Sequence, residues 1–150
     1  MKMKQLMMAA LLVLAVSGMS LSPKALKETS VTYQVDPSYE VVIPTDVAIP
    51  FLAEEVAYGK IQIQEAILEE NKCILVEMNS GGALVNDENP SATIPYQILC
   101  DGKPFTGQKY TKAGEETKLE ISISKEDWNK AAGGTYRTAV TFRISYVDKE

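Results

Sequence analysis

The clearest alternation of apolar and polar positions in the chain runs from Gly133 to Val147. Tyr136, Val140, Phe142, Ile144 and Tyr146 occupy its even positions with Thr138, while Arg137, Ala139, Thr141, Arg143 and Ser145 occupy the odd ones. Side chains on a strand point alternately to opposite faces, so this pattern predicts one continuous strand with an inner apolar row and a wet outer row. The row Val140, Phe142, Ile144 is expected to be nearly inaccessible, and Thr141 and Arg143 solvent-facing. Four further stretches alternate in the same way: 31–35, which Asp36-Pro37-Ser38 interrupts, then 39–43, 61–64 and 118–123. Two others, 73–78 and 93–100, carry inward sets Ile74/Val76/Met78 and Ile94/Tyr96/Ile98. Between them lie turn-forming clusters: Asn79-Ser80-Gly81-Gly82 with Asn86-Asp87-Glu88-Asn89-Pro90, and the tight pair Asp101-Gly102. Pro44 and Pro50 bracket 47–49 as a protected edge segment, and residues 51–58 read equally as a loop or a helical turn.

One stretch departs from this period. Ser124 is a suitable N-cap, Glu126 and Asp127 complement the positive end of a helix dipole, and Gly133 suits a left-handed stop. A short helix near residues 125–132 is expected, with Trp128 folded over an open end of the core. Seven or eight short strands with turns between them define the class: an all-β, immunoglobulin-like antiparallel β-sandwich with one short helix.

The amino terminus belongs to a different pattern. Lys2 and Lys4 precede an uncharged run from Leu6 to Val16, the layout of a secretory signal peptide, and a signal anchor is the other reading. The run falls short of the roughly 20 apolar residues of a good membrane span. Small residues at Ala15-Val16-Ser17, Val16-Ser17-Gly18 and Pro23-Lys24-Ala25 offer more than one cleavage position. Residues 1–22 are therefore assigned to the leader and 23–150 to a single sandwich domain, expected to be secreted or at the cell surface. No cysteine lies near the leader, and no sorting pattern is read in the closing Val147-Asp148-Lys149-Glu150. Neither a lipid anchor nor a stable membrane span after cleavage is expected.

Composition narrows the partners. The chain carries 15 basic and 20 acidic residues, and without Lys2 and Lys4 the balance is 13 against 20. An acidic surface without basic clusters argues against nucleic acid and anionic membrane. There is no histidine, which removes Ser-His-Asp and Cys-His catalysis and the commonest zinc ligand sets. The acid pairs at 54/55, 69/70, 87/88, 115/116 and 126/127 fall in loops or at the helix start, where solvated charge is the ordinary role. No enzyme activity, cofactor or metal is expected, although Asn86-Asp87-Glu88-Asn89 could offer oxygens to calcium. Tyr33, Tyr96, Tyr136, Phe142 and Tyr146 share faces with aliphatic residues and read as core. Tyr58, Phe105 and Tyr110 lie in connecting segments, and the loop 103–110 is the candidate recognition surface, through Phe105, Lys109 and Tyr110.

The carboxy-terminal third, Asp127-Trp128, Ala131-Ala132-Gly133-Gly134, Thr135-Tyr136 and Thr138-Ala139-Val140-Thr141-Phe142, resembles the closing strands of small secreted Gram-positive β-sandwich proteins. WxL-type surface domains end similarly. Gly134-Thr135-Tyr136 also resembles the tyrosine corner of immunoglobulin-like sandwiches, with Ala132 where that motif has aspartate. The Trp-x-Leu peptides themselves are absent, since Asn129-Lys130 follows Trp128. The resemblance implies a structural or adhesive protein within a surface assembly, partnered by other surface proteins. The alternative is a soluble module that binds carbohydrate or peptide through loops at one end.

Export, and two cysteines in apolar strands, motivate a Cys73–Cys100 disulfide. A hairpin centred between Asn86 and Asp87 sets the two opposite each other. Matching the apolar faces instead sets Cys73 opposite Leu99; a bulge, or strands lying in different sheets, would reconcile the two, and a pair of buried free thiols is the other outcome.

Overall fold

The computed structural model describes the backbone of residues 2–5, 10–17 and 28–150, and side chains from residue 29 onward. Of the expected leader, the backbone of residues 2–5 and 10–17 is described, and none of its side chains. Two strands lie within it, β1 (Lys2–Gln5), paired with β4 (Ser38–Val42), and β2 (Ala10–Ser17), paired with β3 (Glu28–Val35).

The fold is all-β and antiparallel. The main strands are β5 (Glu55–Ile67), β6 (Lys72–Glu77), β7 (Gly81–Asn86), β8 (Thr93–Cys100) and β11 (Glu116–Ser122). Shorter ones are β9 (Lys103–Pro104), β10 (Gly107–Tyr110), β12 (Tyr136–Arg137) and β13 (Arg143–Asp148). A large sheet runs β1-β4-β5-β11-β8-β7-β12 with β9 attached to β8, a second runs β10-β6-β13, and β2-β3 form a ribbon of their own. Large-sheet residues Val41, Ile61, Ile63, Ile94, Ile98 and Leu119 join Ile74 and Val76 of the second sheet in one buried cluster. Pleating explains the membership: β8 buries Ile94, Tyr96 and Ile98 and exposes Thr93, Pro95 and Gln97, as alternation predicts.

Several elements differ from the expectation, each because pairing overrode a local signal. The segment 51–67 is not a loop, a strand and a connection: from Glu55 onward it is one 13-residue strand. β5 keeps two partners by absorbing extra residues. Its register with β11 skips Tyr58, and its register with β4 skips Gln64, so each acts as a bulge that restores the ladder beyond it. The Gly-Gly loop contains β7, whose Leu84 faces Ile94 on β8. Residues 44–50 form no strand. The helix α1 spans Lys125–Lys130, where Ser124 Oγ accepts the Asp127 N–H at 3.1 Å as expected, yet it ends at an extended Ala131 rather than at Gly133. Trp128 donates its indole N–H to the Ala53 carbonyl at 2.8 Å and meets Phe51 edge-on, which ties the helix to the segment entering β5. Asp101 and Gly102 both have positive φ, 50° and 76°, as a tight hairpin turn requires.

The largest correction concerns the carboxy-terminal strand. It is two strands in two sheets: β12 pairs with β7 in the large sheet, and β13 pairs with β6 in the second. Residues 138–142 cross between them without forming a strand.

Candidate interaction surface

The crossing places an incompletely covered apolar row at the side of the second sheet. Val140, Phe142, Ile144 and Tyr146 all pack on the core but stay half-buried, whereas Thr141 and Arg143 are exposed. The two faces are therefore oriented as the alternation predicts, while near-complete burial of the row is corrected. The cause lies in the neighbours. β13 has β6 on one side, with Ile144 opposite Val76 and Tyr146 opposite Ile74, and among the described residues it has no strand on the other.

The row is held from beneath by aromatic contacts. The Tyr39 ring on β4 stacks on Tyr146 at 5.9 Å, and Tyr58, the bulge residue of β5, stacks on Phe142 at 6.3 Å. Tyr146 Oη accepts the Glu69 N–H at 2.8 Å, which anchors its ring edge. Burial pushes the Tyr39 phenol above its ordinary pKa, with neighbouring Tyr146 adding to it, and burial raises Tyr58 likewise, with smaller contributions from Tyr96 and Asp46. Where the chain leaves β12, Thr138, Ala139, Val140 and Thr141 border an open cavity of about 280 Å³ with Tyr96 and the Gly81-Gly82 backbone. At the start of the same segment, Tyr136 Oη donates to the Ala132 carbonyl at 2.8 Å, a bond back to the backbone just upstream.

The second exposed apolar feature is β3. Val31, Tyr33 and Val35 are 66 %, 64 % and 51 % exposed, and they share one face of the strand. Tyr33 is thus not a core residue, contrary to its pattern. Alternation predicted the strand, but no second layer covers the face that carries Tyr33 among the described residues.

The loop proposed for recognition is built differently from the expectation. Phe105 and Tyr110 are 5 % and 2 % exposed and belong to the core. The Phe105 N–H donates to the Ile98 carbonyl at 3.0 Å, which holds its backbone against β8, and Tyr110 Oη shares a 2.6 Å hydrogen bond with Thr117 Oγ1. Burial raises the Tyr110 pKa, and the Thr117 bond partly offsets the rise. Only Lys109 of the three reaches solvent, donating to the Lys149 carbonyl at 2.9 Å. Tyr58 is half-buried.

Cys73 and Cys100 are free thiols, which corrects the disulfide. They stand on strands of different sheets, Cys73 opposite Val147 on β13 and Cys100 opposite Lys103 on β9, so the hairpin that would oppose them does not form. In the loop 86–89, Asn86 is buried and its Oδ1 accepts the N–H groups of Glu88 and Asn89 at 2.9 and 3.0 Å. That oxygen serves the turn, and Asp87 pairs with Arg137 at 3.0 Å. The described residues hold no group of three or more potential metal ligands, and no helix among them is long and apolar enough to cross a membrane.

In comparisons with known proteins, no family model matches this chain and no curated protein is similar to it.

Proposed function

We propose that this chain is an exported, non-enzymatic, immunoglobulin-like sandwich protein with a structural or adhesive role in a surface assembly. The observation that carries the reading is where its uncovered apolar surface lies: on a strand arm and along a sheet edge, places suited to strand–strand contact. The sheet order β4-β5-β11-β8 parallels the A-B-E-D sheet of immunoglobulin-like domains, with β6 and β13 in the positions of C and F. The Tyr136–Ala132 back-bond adds to this likeness. Export is supported by the charge and hydropathy of residues 1–22, and the non-enzymatic reading by the absence of histidine from the sequence.

The alternative, carbohydrate or peptide capture by loop 103–110, is less well supported because the loop's two aromatic rings point inward. Fractionation of the native host, with mass spectrometry of the protein's amino terminus, tests the reading. The protein is expected outside the cytoplasm without Met1 and Lys2, and an intact amino terminus in the cytosol would overturn it.

A further inference from the structure

An antiparallel strand offers hydrogen-bonding groups along both of its edges, and an edge left without a partner is a template for another strand. β13 has such an edge among the described residues, and its shielding is weak. Between Arg143 and Asp148 its residues are Ile144, Ser145, Tyr146 and Val147, with no charge and no proline. The opposite side of the same sheet is formed by β10, which carries Lys109. Beside the free edge, Phe142, Ile144 and Tyr146 are half-buried, while Ile74 and Val76 on the inner strand β6 are 0 % exposed. One more strand alongside β13 would satisfy its backbone and cover this row together.

β3 has the properties of that strand. Its eight residues contain no proline or glycine, and Val31, Tyr33 and Val35 form an apolar face that meets solvent. Eight residues span about 27 Å, enough to cover the roughly 20 Å of β13. Its partner in the structure is β2, which lies within the segment assigned to the leader. Loss of the leader therefore leaves β3 unpaired. Beyond Asp36-Pro37 the chain enters β4, which is committed to β5 in the large sheet, and the arm stands exposed where it emerges.

We propose that the arm Glu28–Val35 of one processed copy adds as a strand to β13 of a second copy, with Val31, Tyr33 and Val35 covering the Phe142–Tyr146 row. This is β-strand addition, in which main-chain bonds supply affinity and alternate side chains supply specificity. Donor and acceptor are different surfaces of the same chain, so the contact is heterologous and repeats head to tail, into open chains unless the rotation closes a ring. The proposal rests on the export reading, since the arm is freed by leader removal.

The test uses the exported, processed full chain and its double variant Val31→Asp/Tyr33→Asp. Native mass spectrometry of the wild type is expected to give a ladder of multiples that lengthens with concentration. The variant should be monomeric with an unchanged circular dichroism spectrum, because the arm packs on no core. Hydrogen exchange at 143–148 should be slowed by about tenfold or more in the wild-type assembly relative to the variant. A synthetic peptide of residues 28–36 should restore that slowing when added to the variant. Four results would each overturn the proposal: a processed wild type that stays monomeric, assemblies that survive the double substitution, slowing at 38–42 in place of 143–148, or no response to the peptide. A chain that still carries Met1 refutes the export reading and the assembly with it, whereas a processed monomer refutes the assembly alone.

Discussion

β6 and β13 lie side by side in one sheet, are equally long and carry similar apolar residues, yet they are buried very differently. Cys73, Ile74 and Val76 on β6 are 0 % exposed, whereas Ile144, Tyr146 and Val147 on β13 are all half-exposed. The residues do not account for this. β6 lies between β10 and β13, while β13 has a described neighbour on one side. Burial in a sheet depends on how many strands flank a position, and hydrophobicity sets only which face turns inward.

The sharpest way to break the comparison is to truncate matching side chains on the two strands. Ile74→Ala should destabilise the fold by about 2–5 kcal/mol in urea denaturation, through lost burial and a residual cavity. Ile144→Ala in the monomeric arm variant should cost less than half of that, and Arg143→Ala at most about 0.5 kcal/mol. Equal losses at 74 and 144 would show that the open side is as tightly packed as the closed one.

Next in size is the turn that leads into β12, ahead of the crossing. Gly134 has φ near 142°, and a Cβ there would collide with the side-chain amide of Asn86. Gly134→Ala should cost on the order of 1–3 kcal/mol, because strained backbone and displacement of a buried turn residue add together. Thermal melts would read it, and an unchanged midpoint would mean that the entry to β12 tolerates a different path.

Alkaline pH compares the two sides through their tyrosines. Burial raises the pKa of Tyr39, Tyr58 and Tyr110 above the ordinary 10.0. A phenol whose folded pKa lies above its unfolded value contributes stability that is fully present below the unfolded pKa and is lost as pH rises through the folded one. Stability should therefore hold up to about pH 10 and fall above it. Tyr110→Phe should flatten that fall more than Tyr39→Phe, because Tyr110 is the more deeply enclosed. The reverse order in pH-dependent denaturation would place the tighter packing on the open side.

The smallest effect is chemical. Cys73 is buried, while Cys100 is partly exposed and donates weakly to Asp101 Oδ2 at 3.9 Å. Burial, followed by the Asp101 charge, raises the Cys100 pKa, which lowers its thiolate fraction at neutral pH. Alkylation of the native protein should be slow, confined to Cys100 and faster as pH rises, with two thiols reacting after unfolding. Peptide mapping that finds Cys73 labelled first would show that the β6–β13 side opens more readily than its burial implies.

The sequence alone determined what is local. Alternation identified the inward faces of β6, β8, β11 and the 140–146 segment, because the pleat ties every second side chain to one side whatever the strand's partner. The Ser124 cap and the Asp101-Gly102 turn were legible for the same reason, since each is satisfied within four residues of chain. Pairing was not legible. β7 is a strand despite Gly81-Gly82 because β8 supplies its ladder, and the 133–147 run is split because β7 and β6 claim its two ends in different sheets. Phe105 lies between the short strands β9 and β10 and Tyr110 ends the second, and their partners, the Ile98 carbonyl and the Thr117 hydroxyl, are ones that no periodicity announces. Among the described residues, the open edge of β13 and the bare face of β3 belong to this second kind of fact. A residue's own chemistry sets which way it points, but only the assembled sheets decide whether another strand already lies beside it.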